Sequence, residues 1–313
     1  MSYARMRDGA KLHYLDVGHG PVCVLVHGFA MFGAMWLPFV APLASRCRFI
    51  VPDLRGWGKS HDQRLSRTDA ICQHADDLAD LISGLGVDHV HLAGLSMGAC
   101  ASLEFLRRYG TRSIDAYLNV DQSPCIPNDS EWRWGLLGTG QSKFFAAWRQ
   151  LIADFEPWLD RRFDELPPFM RARLFATLGE FIGYAFYRHS LRALRFPAAR
   201  EALMRLVMPV SNWPIYIATM RSFVEGAHDW RESLTHVDVP VTAMIGAESR
   251  LYPAAGQAEI ARLAPRGQVV KVAHAGHVVP FDAPQRFTRE LARFLAASPA
   301  RERSRFAPLR AVA

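Results

Sequence analysis

A serine stands between two glycines in the run Ala93-Gly94-Leu95-Ser96-Met97-Gly98-Ala99, directly after the apolar stretch His89-Val90-His91-Leu92. The pattern predicts a strand feeding straight into a helix, a turn so tight that only small neighbours let the two elements approach. Such a turn lifts the Ser96 hydroxyl out of the sheet and leaves the Met97 amide free to stabilise an oxyanion, which suits nucleophilic catalysis. Activating a serine requires a base. Val269-Val270-Lys271-Val272 reads as a strand and is followed by Ala273-His274-Ala275-Gly276-His277, which makes His277, on a loop, the candidate. Upstream, Pro21-Val22-Cys23-Val24-Leu25-Val26 reads as a buried strand ending in His27-Gly28-Phe29. Its glycine permits close backbone approach, so the Phe29 amide is the candidate second oxyanion donor.

The elements that must position these groups can be read from periodicity. Strands at about 22–27, 47–52, 89–95 and 114–120 alternate with helices at about 36–44, 69–85 and 97–109, after a β-hairpin around Asp8-Gly9. In the helix near 69–85, Ile71, Leu78, Leu81, Ile82 and Leu85 recur at helical spacing behind the capping candidates Ser66 and Thr68. Strands alternating with helices predict a parallel sheet covered on both faces. After Asp121 the pattern turns helical, and strand-helix alternation resumes at Val241. The expected organisation is a core formed by residues 1–121 and 233–313, with residues 122–232 inserted as a helical cap. Most of the cap's aromatic rings are needed for its own core. Others are expected to roof an apolar pocket above Ser96, with Trp132, Trp134 and Trp213 as candidates.

Composition sets further limits. With 313 residues, 50% of them hydrophobic, the chain can bury one large core with an insertion. The net charge of +7 is spread among nearly as many acids, without a basic stripe carrying interleaved aromatics, so nucleic-acid binding is not expected. The tail Arg301-Glu302-Arg303-Ser304-Arg305 reads as a solvated end. Five cysteines without CxxC spacing suggest free thiols in a reducing compartment. No apolar run approaches the ~18 residues that span a bilayer, and no signal-like segment opens the chain, so a cytoplasmic protein is expected. No metal-ligand spacing or phosphate-binding loop is visible, and no cofactor is implied. The oligomeric state is left open.

The Ser96 elbow, the His27-Gly28-Phe29 turn and His277, in this order, resemble the α/β-hydrolase superfamily. Asp53-Leu54-Arg55-Gly56-Trp57-Gly58-Lys59-Ser60 and Trp36 add to the resemblance, which covers nearly the whole chain outside its middle third. It implies an α/β-hydrolase fold, a mostly parallel central sheet flanked by helices with an inserted α-helical cap, and a serine-histidine-acid triad. Many family members place the acid in a Gly-x-x-Asp-x-x-x-Pro setting after the strand that follows the cap. Here that setting reads Gly246-Ala247-Glu248-Ser249-Arg250-Leu251-Tyr252-Pro253, and a serine cannot support an imidazolium electrostatically. Asp121, at the end of the strand Ile114 to Val120, is the preferred acid, and Glu248 is the runner-up. Some haloalkane dehalogenases and the cofactor-free quinolone dioxygenases are similar in having the acid after that strand. His27 reads as structural, His91 as a core histidine, His274 as pointing away from the site, and Asp53 with Arg55 as a loop-ordering pair.

The reaction implied is hydrolysis of a carboxylic ester or lactone of a hydrophobic small molecule through an acyl-enzyme on Ser96. Thioester or carbon-carbon bond hydrolysis passes through the same scheme. A cofactor-free dioxygenase acting on a hydroxyquinolone-like heterocycle and a ligand receptor on a hydrolase scaffold are the alternatives from other classes.

Overall fold

The computed structural model describes residues 2–187 and 210–297, so Pro209 and the tail 301–305 lie outside the described residues, as does the stretch 188–209 of the expected cap. Eight strands form one sheet: β1 (Ser2–Arg5), β2 (Lys11–Val17), β3 (Val22–Val26), β4 (Arg48–Pro52), β5 (Val90–Leu95), β6 (Ile114–Val120), β7 (Val241–Gly246) and β8 (Gly267–Val272). Their spatial order is β1-β2-β4-β3-β5-β6-β7-β8. β3 to β8 run parallel, and β2 pairs antiparallel with both β1 and β4. The first two strands are the expected hairpin, closed by Met6 and Ala10 with Gly9 at φ +89°, a left-handed conformation that glycine adopts without strain. β3 and β5 lie centrally and every residue in them is buried, as parallel strands covered on both faces must be.

Seven helices of ten or more residues are present among the described residues: α1 (Ala70–Gly84), α2 (Met97–Tyr109), α3 (Gln141–Phe155), α4 (Pro168–Ala185), α5 (Pro214–Glu225), α6 (Ala254–Leu263) and α7 (Pro284–Ala297). α1 starts behind Asp69, whose carboxylate accepts the Cys72 amide at 3.0 Å, so Asp69 rather than Ser66 or Thr68 is the cap. The reason is spacing: a capping side chain reaches the amide three residues on, and Ser66 instead bonds Gln73. The expected helix at 36–44 is broken into short turns, Gly33–Trp36, Leu37–Val40 and Ala41–Leu43. Pro38 and Pro42 supply no amide hydrogen for a continuous helix.

α3, α4 and α5 lie between β6 and β7 in the chain, joined by turns and irregular loops. The rings of this segment pack mainly on one another. Phe144 meets Trp148 at 4.6 Å between ring centroids, Trp148 meets Phe181 at 5.5 Å, Phe163 meets Phe175 at 5.2 Å and Phe155 meets Trp213 at 5.6 Å. No described helix is long and apolar enough to cross a membrane, and all five cysteines are free.

Candidate active site

Ser96 sits between β5 and α2 at φ +54°, a conformation that costs a non-glycine residue on the order of 1–3 kcal/mol. Two close approaches hold it there. A Cβ on Gly98 would lie 2.5 Å from the carbonyl oxygens of Val26 and His27, and one on Gly94 would lie 2.5 Å from the Gly98 carbonyl oxygen. The glycines therefore let β3, β5 and α2 converge beneath the serine. A Cβ on Gly28 would lie 3.5 Å from Ser96 Cβ, which puts the His27-Gly28-Phe29 turn alongside the hydroxyl-bearing carbon. Met97 opens α2, where an amide has no intrahelical acceptor. Among the described residues neither its amide nor that of Phe29 has a hydrogen-bond partner. Both meet the requirement for an oxyanion donor.

His27 arranges this turn. Its Nε2 accepts the Leu54 amide at 3.0 Å, so Nδ1 carries the proton and donates to the Gly28 carbonyl at 2.8 Å. Burial pushes its pKa down, which keeps the ring neutral. Asp53 ties neighbouring loops by accepting the amides of Gly33 at 2.6 Å and Lys59 at 2.9 Å. Arg55 is not its partner, contrary to the sequence reading. Its guanidinium pairs with Asp77 at 2.6 Å and Asp8 at 2.8 Å, and the two residues order the loop separately.

β5 and β6 are neighbours, with Leu95 opposite Val120, so Ser96 and Asp121 follow paired residues at one rim of the sheet. Asp121 is fully buried and also has a left-handed backbone, at φ +47°. Its Oδ1 lies 2.7 Å from His277 Nδ1, and its Oδ2 accepts the Gly246 amide at 2.8 Å. The Ser249 hydroxyl donates to Oδ1 at 2.6 Å. Each carboxylate oxygen thus has a donor that fixes its orientation, and with Nδ1 engaged by Asp121 the other ring nitrogen, Nε2, is the one left to exchange a proton. Glu248 does not meet the ring: its Oε2 accepts the Ala275 amide at 3.0 Å, bracing the loop that carries His277. His274 lies apart, its ring 6.2 Å from that of Tyr187, and His91 is buried against Phe294.

Nothing in the sequence reading pointed to Asp282. It is 2% exposed, and its Oδ2 accepts the amides of Gly276 and Tyr187, each at 2.9 Å. The Val278 amide donates to Ala185 at 3.2 Å. The end of α4 and the chain just after it are thus tied to both sides of His277. Asp282→Ala leaves the buried Gly276 amide and the half-buried Tyr187 amide without their acceptor and is expected to cost about 1–3 kcal/mol. Urea denaturation measures this; an unchanged midpoint would mean that the amides find another acceptor.

The rings set against Phe29 are Trp57 at 5.4 Å, Phe181 at 5.5 Å and Tyr216 at 5.8 Å, so α4 and α5 both reach the His27-Gly28-Phe29 turn. The three tryptophans proposed from sequence have other surroundings. Trp132 packs on Trp134 and beneath the Arg231 guanidinium, and Trp134 is 40% exposed beside Gly256. Trp213 donates to the Arg161 carbonyl and lines a groove of about 520 Å³ with Arg64, Leu159 and Ile215. Their spacing carried no information about which face of the insertion they occupy. Among the described residues no group of three His, Cys, Asp or Glu side chains could hold a metal ion.

A model of the alpha/beta hydrolase family matches residues 23–290, a span that contains every residue of this site. The chain belongs to the alpha/beta hydrolase family. A pimeloyl-(acyl-carrier protein) methyl ester esterase from Nitrosomonas europaea is 24% identical to this hydrolase over 278 residues, covering 89% of this chain and 97% of that protein. The enzyme of the same name from Xanthomonas oryzae is 29% identical over 289 residues, covering 92% and 100%. An esterase from Exiguobacterium antarcticum has a TM-score of 0.75 at 20% identity, covering 95% of this chain and 99% of that one. A bromoperoxidase from Bacillus anthracis has 0.74 at 21%, covering 94% and 99%. Likeness at these identities is a likeness of fold.

Proposed function

We propose that this alpha/beta hydrolase is a serine esterase that cleaves a carboxylic ester or lactone of a hydrophobic small molecule. The observation that carries the reading is the buried 2.7 Å contact between His277 Nδ1 and Asp121 Oδ1 at the rim that also bears the strained Ser96. In the first step His277 Nε2 takes the Ser96 proton as the hydroxyl oxygen attacks the ester carbonyl. The Phe29 and Met97 amides hold the oxyanion, and Asp121 supports the imidazolium. Collapse of the tetrahedral intermediate expels the alcohol, which receives the proton from His277. Water, deprotonated by the same histidine, then attacks the acyl-enzyme and releases the acid.

Family membership and relatives named as esterases support ester hydrolysis. The apolar surroundings of Phe29, with Phe181 and Tyr216 contributed by the helical insertion, support a hydrophobic acyl or alcohol group and a capping role for the insertion. The test is intact mass after treatment with a fluorophosphonate, with peptide mapping, followed by a panel of p-nitrophenyl esters of increasing acyl length. A single adduct on Ser96 and steady ester turnover are expected. A folded protein that forms no adduct and turns over no ester would overturn the reading.

A further inference from the structure

β6 and β7 are paired with Val120 opposite Met244, which brings the turn after β7 against the residue that follows β6. This turn donates to Asp121 twice, from the Gly246 amide to Oδ2 and from the Ser249 hydroxyl to Oδ1. Oδ1 is also the oxygen that meets His277. The same turn holds the histidine loop. Glu248 both donates its amide to the Ala275 carbonyl and accepts the Ala275 amide on its carboxylate, and a Cβ on Gly246 would collide with the Gly276 carbonyl oxygen. One short segment, 246–249, therefore sets both partners of the Asp121–His277 contact.

Within it, Ser249 is the only side chain that touches the acid, according to the described contacts. Rotating the carboxylate away from His277 would break the 2.6 Å bond from Ser249. We propose that Ser249 is a positioning residue that fixes the Asp121 carboxylate on His277. The proposal rests on the reading of Asp121 as the acid of the triad.

The experiment measures the second-order rate of fluorophosphonate capture at Ser96 by intact mass in the full chain, with urea midpoints as the control for folding. Ser249→Thr keeps the hydroxyl and is expected to stay near the parent rate. Ser249→Val has the same shape without the hydroxyl and is expected to slow capture by about tenfold, with Ser249→Ala as the smaller alternative if the valine variant fails to fold. Asp121→Asn, measured alongside, is expected to be slower than Ser249→Val, because it loses the charge and not only its support. Equal rates for the threonine and valine variants would overturn the positioning role. Asp121→Asn at the parent rate would instead overturn the underlying assignment of the acid, so the failures are distinguishable.

Discussion

Replacing Ser96 by alanine is expected to abolish fluorophosphonate capture and to reduce ester turnover by about 10⁴-fold or more. In the proposed reaction the hydroxyl oxygen is the atom that forms the acyl bond, so its removal stops that route. The change is also informative about the fold. Ser96 holds φ +54°, and alanine at the same angle retains a Cβ and hence the same backbone strain. The urea midpoint should consequently change little while activity disappears. Retention of turnover at more than about a hundredth of the parent rate would mean that the reaction does not pass through an acyl-serine, and would favour water as the direct nucleophile.

Asp121→Asn is expected to cut kcat by about 10³ to 10⁴-fold, with KM for a p-nitrophenyl ester little changed. Asparagine preserves shape but has no charge to support an imidazolium, and its amide nitrogen directed at Nδ1 would impose the wrong tautomer. Glu248→Gln, by contrast, keeps an oxygen for the Ala275 amide and is expected to lose less than about tenfold. The two variants measured together identify the acid. Full activity in Asp121→Asn with a large loss in Glu248→Gln would reverse the assignment and require the histidine loop to rearrange, since Glu248 meets backbone rather than ring in this structure.

Features set by a few consecutive residues were legible in the chain. The elbow at Ser96 depends on Gly94 and Gly98 having no Cβ where β5, β3 and α2 converge, and the hairpin depends on Gly9 at its turn. The strands β3 and β5 announced themselves as continuous apolar runs because both faces are covered. Local reading failed where two weak signals competed. Pro38 and Pro42 outweighed an apolar helical pattern, and Asp69 took the cap from Ser66 and Thr68.

The site depended on more than local pattern. Sequence offered Asp121 and Glu248 as carboxylates and no way to measure their distance from His277; pairing of β6 with β5 and β7 puts one at the ring and leaves the other on the backbone of its loop. Trp57, Phe181 and Tyr216 surround Phe29 although they come from a core loop and two helices of the insertion, and periodicity cannot say which helical face meets which loop. The same holds for the contacts of Ser249 with Asp121 and of Asp282 with Tyr187, which span 128 and 95 residues. The sequence by itself determined the order of elements, the strained serine turn and the residue types available for catalysis, because periodicity and the lack of a glycine Cβ act between near neighbours. Only the tertiary structure decided which carboxylate meets the His277 ring, what holds that carboxylate and which rings surround Phe29, because those are contacts between segments far apart in the chain.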